Sequence, residues 1–376
     1  MRFASALIAL ALLAAPLTAQ DTPLPPWDGV WKGTIGTLPV MVCLQQGGGD
    51  WSMGSYYYLG QMKPIALRHD AAGNWTEETY GSEPSTGTLQ LAQSGNRMGG
   101  EWHHGERHLP IALERVRTAP SDLFMTCGSD EYIAPRVRPL IRTVKPVRVK
   151  GVAISRIEYR PARWFEDVSL STFAIPLAMP GDRAINAALE LHPDKPADFA
   201  PGDYLSCMQG QLASTGTDGD YGFGYDLAEL TPKFLRVLAQ SGSSCGGAHP
   251  NSSYWWESFD RQSGKRIDLA RWFTAKAAPR GTITPGGPTI ELAPALRRAV
   301  LRHYPVDQSE CREAVGSANF WSAGVTSKGL IFAPELAHVD TPCIDDAVVP
   351  FAELSPYFSA EGKASVRRLG LVQGGT

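Results

Sequence analysis

The segment Gly242–Asn251, with the sequence GSSCGGAHPN, contains the pattern Gly-x-Ser-x-Gly. In hydrolases this pattern forms a nucleophile elbow, where a sharp turn from a strand into a helix exposes the serine hydroxyl. Ser244 is the serine of the pattern, and His338 is a candidate general base. Asp260 or Asp307 would complete a triad. The chemistry that these residue types support is nucleophilic hydrolysis.

The sequence around Ser244 does not supply the context that an elbow needs. Pro250 follows the turn, and Ser253–Asp260 has the aromatic pattern of a strand where a helix is required. The alternating strand and helix units of a hydrolase sheet are missing from the sequence pattern as well. We therefore expect no catalytic residues, and an envelope hydrolase that uses Ser244 and His338 is the alternative.

Four acidic residues are spaced in a way that resembles a calcium-binding loop: Asp218, Asp220, Asp226 and Glu229. Such a loop needs an oxygen ligand at its fifth position and a glycine at its sixth. This chain has Gly222 and Phe223 at those positions. An acidic turn is therefore favoured, and a calcium-stabilised structural protein is a further alternative.

A second metal hypothesis concerns His104, Glu106 and His108, which would share one face of a strand. Such spacing is compatible with zinc. However, the sequence His103-His-Gly-Glu106 favours the tip of a hairpin, which would break up that face. We expect neither a bound metal nor another cofactor.

The cysteines and the amino-terminal residues indicate export. Six cysteines, Cys43, Cys127, Cys207, Cys245, Cys311 and Cys343, include no Cys-x-x-Cys pair, which argues against a zinc ribbon or a thioredoxin-type site. An even number favours disulfides in an oxidising compartment. Proximity along the chain favours the pairs 43–127, 207–245 and 311–343, while other connectivities stay open.

A secretory signal peptide is expected over residues 1–19. Arg2 precedes the apolar run Phe3–Leu13, and Pro16–Ala19 offers a cleavage site of small residues. The run is too short to span a bilayer, and no later apolar stretch reaches membrane length. We expect a periplasmic or secreted protein without a transmembrane segment in its mature chain.

The composition limits the class of partner and the architecture. A formal net charge of −3 gives no general attraction for nucleic acid, so we expect no nucleic-acid partner. The 38 glycines and 29 prolines indicate many turns between short strands. A chain of 376 residues is long enough for two domains.

Residues 20–117 predict the first domain, an antiparallel all-β barrel or sandwich. Short β-prone segments recur at intervals that are typical of such folds and are separated by Gly, Asn and Asp turns. The opening WDGVWKGTIG and the closing GGEWHHGERHLPIALERV resemble strands of a lipocalin-like meander. Residues 118–150, which carry six basic side chains after Pro135, predict a basic connector. A solvated linker is the favoured interpretation, and a patch for an anionic surface such as lipid headgroups or cell-wall polymer is the alternative.

Residues 151–365 predict a second, α+β domain, followed by a tail at 366–376. Helices are expected over Pro180–His192 and Glu291–His303, since apolar residues recur there on one helical face. Among the expected strands is one around Asp203–Cys207. The mixture of helices and strands is typical of an α+β fold.

The segment CGGAHPN, followed by SYWWESFDRQSGKRIDLARWF, resembles a signature in the extracellular domain of lysozyme-sensing anti-sigma factors. The accessory domain of some exported peptidoglycan deacetylases has the same signature, and its function is unknown. Residues 246–251 match the signature directly, and 260–265 match its hairpin turn with serine in place of threonine. The resemblance covers residues 150–360, but Leu336–Cys343 replaces the family's tyrosine- and glycine-rich loop.

The resembling segment contains the candidate binding residues Gly246, Gly247, His249, Asn251, Trp255 and Trp256. The glycines permit positive φ or close backbone approach, and His249 is expected to hold the turn. Trp255 and Trp256 point to opposite faces of a strand, so that one packs inward. The other is either a core residue or an exposed contact for a sugar or a protein.

The resemblance and the missing catalytic set together favour an exported, non-catalytic binding protein of the cell envelope. A protein such as lysozyme, or peptidoglycan itself, is the expected partner.

Overall fold

The computed structural model describes residues 24–47, 52–78, 85–117, 125–193, 201–284, 287–305 and 309–371. The expected signal peptide at 1–19 lies outside these residues. No helix within them is long and apolar enough to cross a membrane.

The first eight strands form a closed antiparallel barrel. They are β1 Gly29–Ile35, β2 Leu38–Gln46, β3 Ser52–Tyr58, β4 Ile65–His69, β5 Trp75–Glu77, β6 Thr88–Ser94, β7 Arg97–His104 and β8 Arg107–Arg117. Each strand pairs with the next, and β1 pairs with β8 to close the barrel. Trp31, Leu67 and Trp75 fill the interior. The barrel confirms the expected antiparallel all-β domain.

Short helices follow the barrel. They are a 3-10 helix at Thr126–Gly128, α1 at Asp130–Ile133 and a 3-10 helix at Ala134–Arg136. The side chain of Tyr57 in the barrel donates a hydrogen bond to the carbonyl of Tyr132 (2.6 Å). These helices therefore pack against the barrel wall and do not form a solvated connector.

The next six strands form one sheet. They are β9 Ile141–Val149, β10 Val152–Arg160, β11 Val168–Ala174, β12 Asp220–Leu230, β13 Phe234–Ser244 and β14 Asn251–Asp260, in the order β14-β13-β12-β11-β10-β9. β11 and β12 are parallel, because α2 Asp182–Leu189 and α3 Tyr204–Thr215 lie between them in the chain. The other neighbours are antiparallel.

The expected basic connector at 118–150 is wrong for residues 141–149, which form the edge strand β9. Lys145 lies 3.7 Å from Glu158 on β10, and Arg142 lies 3.5 Å from Glu190. Charged side chains and Pro146 on an edge strand oppose pairing with another sheet, which explains a basic sequence in a regular strand. Residues 118–124 lie outside the described residues.

A five-stranded antiparallel sheet completes the second domain. Its strands are β15 Gly281–Thr284, β16 Gly287–Glu291, β17 Phe320–Val325, β18 Gly329–Pro334 and β19 Ala347–Pro350. The accompanying helices are α4 Pro294–Leu301, α5 Ser309–Ser317, α6 Phe351–Leu354 and α7 Ala360–Arg368, with 3-10 helices at Leu269–Trp272, His338–Cys343 and Ser355–Tyr357. Two sheets with helices confirm the expected α+β class.

Two expectations about this domain are corrected. Tyr204–Thr215 is a helix where a strand was expected, because the Asp203 side chain accepts a hydrogen bond from the backbone N–H of Ser206 and caps it. The expected tail at 366–376 begins too early, since Val366, Leu369 and Leu371 are buried in the core of the five-stranded sheet.

The barrel and the six-stranded sheet share one hydrophobic core. Met41 and Tyr57 of the barrel lie in the same buried cluster as Phe173 and Leu212. The side chain of Ser55 donates to the carbonyl of Gly216, at the end of α3, at 2.6 Å. The barrel is therefore attached through α3.

All six cysteines are paired as expected: Cys43–Cys127, Cys207–Cys245 and Cys311–Cys343. The first joins β2 to the helix at Thr126–Gly128, the second joins α3 to the turn after β13, and the third joins α5 to the helix at His338–Cys343. Each bridge closes a loop and so reduces the conformational freedom of the unfolded chain.

Candidate binding surface

Ser244 lies at the end of a strand that enters an antiparallel hairpin. β13 ends at Ser244, and β14 begins at Asn251 and pairs with it along its whole length. An elbow instead requires a strand that turns into a helix above a parallel sheet. The structure therefore contradicts a nucleophile elbow at Ser244.

The turn between β13 and β14 is held against α3. Gly246 has a φ of +93°, and a Cβ atom there would lie 2.5 Å from the carbonyl oxygen of Gly210 and closer still to Oγ of Ser214. The Cys207–Cys245 disulfide fixes the preceding residue to the same helix. A Cβ at Gly247 would meet only the carbonyl of His249, at 3.8 Å. Gly246 is therefore required by the turn, whereas Gly247 is not.

The structure brings together His249 and His338, which are far apart in the sequence. Their rings stack with centroids 4.2 Å apart and planes inclined by 8°. Nδ1 of His249 lies 3.1 Å from the carbonyl oxygen of Pro250, and His249 is exposed. His338 is half-buried, and its Nδ1 has no hydrogen-bond partner in the described residues. The stack joins the turn to the loop after β18.

The loop after β18 is tied down close to His338. The hydroxyl of Thr341 donates to the carbonyl of His338 (2.6 Å), and the Tyr304 hydroxyl donates to the carbonyl of Cys343 (2.7 Å). The Cys311–Cys343 disulfide closes the loop. Val339 projects from it with 80% of its surface exposed. The loop thus presents an apolar side chain on a restrained backbone.

We call residues 246–251 and 336–341 the two-loop surface. It contains Gly246, Gly247, His249 and Asn251 of the expected binding residues, together with His338. No sequence pattern indicates Val339 or the anchor Tyr304 as part of this surface. Cys343 is the one nearby residue that could have indicated a restrained loop, because its pairing with Cys311 was predicted from the sequence.

Trp255 and Trp256 are both buried, at 5% and 6% exposure. The indole N–H of Trp255 donates to Oε1 of Glu257 (2.8 Å), and that of Trp256 donates to Oδ1 of Asp346 (2.7 Å). The alternative of an exposed tryptophan is therefore wrong. Trp256 is covered because it packs with Ile331 of the five-stranded sheet, which the strand pattern does not reveal.

The surroundings of Trp256 are charged. The Arg236 guanidinium lies over its ring at 4.6 Å from the centroid, a cation–π contact. Burial raises the pKa of Asp346, and the hydrogen bond from Trp256 partly opposes the shift. Burial lowers the pKa of Arg236, and nearby Glu229 opposes that shift. These contacts give Trp256 a structural role.

The four acids of the calcium hypothesis do not form a loop. Asp220, Asp226 and Glu229 lie along the extended strand β12, and Asp218 precedes it. Asp218 binds Arg136, Asp226 binds Arg156 (3.1 Å), and Glu229 lies 3.6 Å from Arg236. The calcium hypothesis is therefore wrong for these residues, since arginines neutralise three of the carboxylates and the strand keeps the acids apart.

The zinc-compatible histidines lie at a hairpin, as the favoured interpretation predicts. β7 ends at His104 and β8 begins at Arg107, so that Glu106 is in the turn. Nδ1 of His108 lies 2.9 Å from Oε2 of Glu101. Within the described ranges, no group of three or more His, Cys, Asp or Glu side chains is arranged to hold a metal ion.

No protein-family model and no curated protein matches the chain. Among solved structures it is similar to a DUF3298 family protein from Pseudomonas aeruginosa PAO1, at 12% identity over 59% of this chain and 93% of that chain, with a TM-score of 0.34. It is also similar to a member of that family from Bacteroides fragilis NCTC 9343, at 9% identity over 61% and 96%, with a TM-score of 0.35. Likenesses at this level assign no activity to the chain.

Proposed function

We propose that the chain is an exported, non-catalytic binding protein of the cell envelope and that its ligand is a protein such as lysozyme. The observation that carries this proposal is the stack of His249 on His338, which joins two loops into one exposed surface. A disulfide restrains each loop, so little conformational entropy is lost when a partner binds.

Export is supported by the three disulfides, because such bonds persist in oxidising compartments. The amino-terminal pattern of a signal peptide points in the same direction. Both features are compatible with a periplasmic or extracellular site of action.

A non-catalytic role is supported by the positions of the two candidate catalytic residues. Ser244 belongs to a hairpin strand, and His338 stacks on His249. No hydrogen bond joins Ser244 to His338, both of which lie in the described part of the chain. The general base that a serine nucleophile requires is therefore not in contact with it.

A protein ligand is favoured over peptidoglycan by the burial of the tryptophans. Sugar rings commonly stack on exposed aromatic side chains, and Trp255 and Trp256 offer no such face. Val339 and the two imidazoles instead present a small apolar and polar surface of the kind found in protein interfaces. Peptidoglycan binding is the outcome that would count against a protein ligand.

The test is binding of the oxidised, mature protein to immobilised lysozyme and, separately, to insoluble peptidoglycan. We expect lysozyme binding, weakened by roughly tenfold or more in Val339→Asp and His249→Ala, since a buried interface contact of this size is worth about 1.4 kcal/mol or more. Leu177→Asp is the matched control, because Leu177 is 61% exposed and lies outside the two-loop surface.

Three results would contradict the proposal. The first is binding to peptidoglycan alone, and the second is an equal effect of Val339→Asp and Leu177→Asp on lysozyme binding. The third is labelling by a fluorophosphonate probe that disappears in Ser244→Ala, which would support the hydrolase.

A further inference from the structure

We propose that the chain has a second binding site, a pocket for a small amphipathic amine between β14 and the five-stranded sheet. The pocket has a volume of about 510 Å³ and is lined by Trp256, Glu257, Leu269, Pro288, Thr289 and Ile290, among others. A volume in this range is typical of small-molecule sites. The proposal does not depend on the two-loop surface or on the identity of its partner.

The walls of the pocket are mainly apolar. Ile290 of β16 and Leu269 are buried core residues, and Trp256 contributes its aromatic side chain. Pro288 and Ala323 extend the same lining. Such walls favour a ligand with a hydrocarbon or aromatic body.

Glu257 places a carboxylate in this apolar lining, with only 3% of the residue exposed. Its Oε1 accepts a hydrogen bond from the indole N–H of Trp255 (2.8 Å). Nε of Arg266 lies 2.7 Å from Oε2, but it is not aligned for a hydrogen bond, so that Oε2 has no hydrogen-bond donor in the described residues. The ion pair with Arg266 offsets the Glu257 charge, but it does not supply the hydrogen bond that Oε2 lacks.

Thr289 supplies a second buried oxygen without a partner. Thr289 is 5% exposed, and its Oγ1 makes no hydrogen bond in the described residues. Its backbone is fixed by pairing with Thr282 on one side and Ser322 on the other. Buried polar atoms are nearly always paired, so an unpaired hydroxyl in a residue that lines a cavity indicates a ligand or a bound water.

Two atoms that lack a hydrogen-bond partner, Oε2 of Glu257 and Oγ1 of Thr289, define the chemistry of the ligand. The carboxylate oxygen of Glu257 only accepts hydrogen bonds, and the hydroxyl of Thr289 is able to accept one. Of the charged residues that line the pocket, Glu257 and Asp268 are acidic and Arg266 is basic. Because the acidic side chains outnumber the basic one, a positively charged donor fits this lining better than a carboxylate does. Together with the apolar walls, this points to an amine with an apolar body.

The experiment compares phenylbutylamine, phenylbutanol and phenylbutyrate, titrated into the oxidised, mature protein by calorimetry. We expect the amine to bind about tenfold or more tightly than the alcohol or the acid, as one charge-assisted hydrogen bond provides. Thr289→Val, which keeps the shape of the side chain, is expected to weaken amine binding roughly fivefold to tenfold. Glu257→Gln is expected to weaken it at least as much.

Thr289→Val also distinguishes a loss of ligand affinity from a loss of folded protein. Because it removes an unpaired buried hydroxyl, its melting temperature is expected to equal or exceed that of the wild type. Thr143→Val on β9 is the control and should leave amine binding unchanged.

Equal binding of the amine and the alcohol, or unchanged amine affinity in folded Thr289→Val, would overturn the site. Lysozyme binding is expected to be unaffected in Thr289→Val, so that failure here is distinguishable from failure of the proposed function.

Discussion

Arg136, which is completely buried, forms a bidentate ion pair with the half-buried Asp218. The two terminal nitrogens of Arg136 donate to the two carboxylate oxygens of Asp218, at 2.7 and 2.5 Å, and Arg136 is completely buried. Its Nε donates to the carbonyl of Met62 in the barrel (2.8 Å), and its guanidinium lies 4.8 Å from the ring centre of Phe165. One side chain therefore connects the barrel with the six-stranded sheet.

Loss of Arg136 should destabilise the protein strongly. Arg136→Met leaves the Asp218 carboxylate without its partner, and breaking a buried ion pair in this way costs about 3–5 kcal/mol. Arg142→Met is the control, because Arg142 and Glu190 are both exposed and such pairs contribute about 0–1 kcal/mol. Urea unfolding followed by tryptophan fluorescence measures both. Equal losses in the two variants would show that the buried pair has no special role.

Gly246→Ala should damage the turn, whereas Gly247→Ala should not. A Cβ at Gly246 meets α3 at a positive φ, so we expect a loss of about 1–3 kcal/mol in the free energy of unfolding. At Gly247 the nearest atom is 3.8 Å away, and a change within about 0.5 kcal/mol is expected. Thermal and urea unfolding provide the comparison. A neutral Gly246→Ala would contradict the close approach of the turn to α3.

Stability should fall in acid through Asp182. Burial alone would raise its pKa, but the hydrogen bonds from Arg261 and from the backbone N–H groups of Met179 and Ala178 outweigh burial and hold the pKa below 3.8. Because the folded pKa is depressed, the stabilisation is present above the unfolded pKa and is lost as the pH falls through the folded pKa.

Unfolding free energies measured between about pH 5 and pH 2 test this expectation. The wild type should lose more stability over that interval than Asp182→Asn, which cannot titrate there. Asp167→Asn, at an exposed position, should show the same acid dependence as the wild type. An identical acid profile for the wild type and Asp182→Asn would disprove the role of this carboxylate.

Two disulfides should differ in their effect on binding. Replacing either Cys43 and Cys127 or Cys311 and Cys343 by alanine is expected to cost about 2–5 kcal/mol of stability. Only the second replacement releases the loop that contains His338, so it alone should weaken binding to lysozyme. Surface plasmon resonance below the unfolding temperature of each variant measures this. If both replacements weakened binding equally, the restraint on the loop would be irrelevant.

Several features follow from local patterns in the sequence. The strands of the barrel alternate over short distances, as β8 does with Ile111 and Leu113 inward, and this alternation predicts an all-β domain. The pairing of the cysteines was predicted from proximity and is confirmed. Pro250 and the strand pattern after it argue against a nucleophile elbow at Ser244, and both are local features of the sequence.

Other features depend on contacts between distant residues and have no local signal. A run of basic residues is usually exposed, so the sequence predicts a solvated connector at Arg136, yet Arg136 is buried against Asp218. The stack of His249 on His338 requires the hairpin of one sheet to meet a loop of the other. Short-range patterns do not specify which elements meet in this way.

The tryptophan pair shows which property the sequence alone determines and which property the tertiary structure decides. The order Trp255-Trp256 in a strand was sufficient to direct the two side chains to opposite faces, because side chains alternate along any extended backbone. Their exposure was not determined in this way. Trp256 is buried only because Ile331 and Ala333 of a later sheet pack against it, and burial depends on the elements that cover a face as well as on its direction.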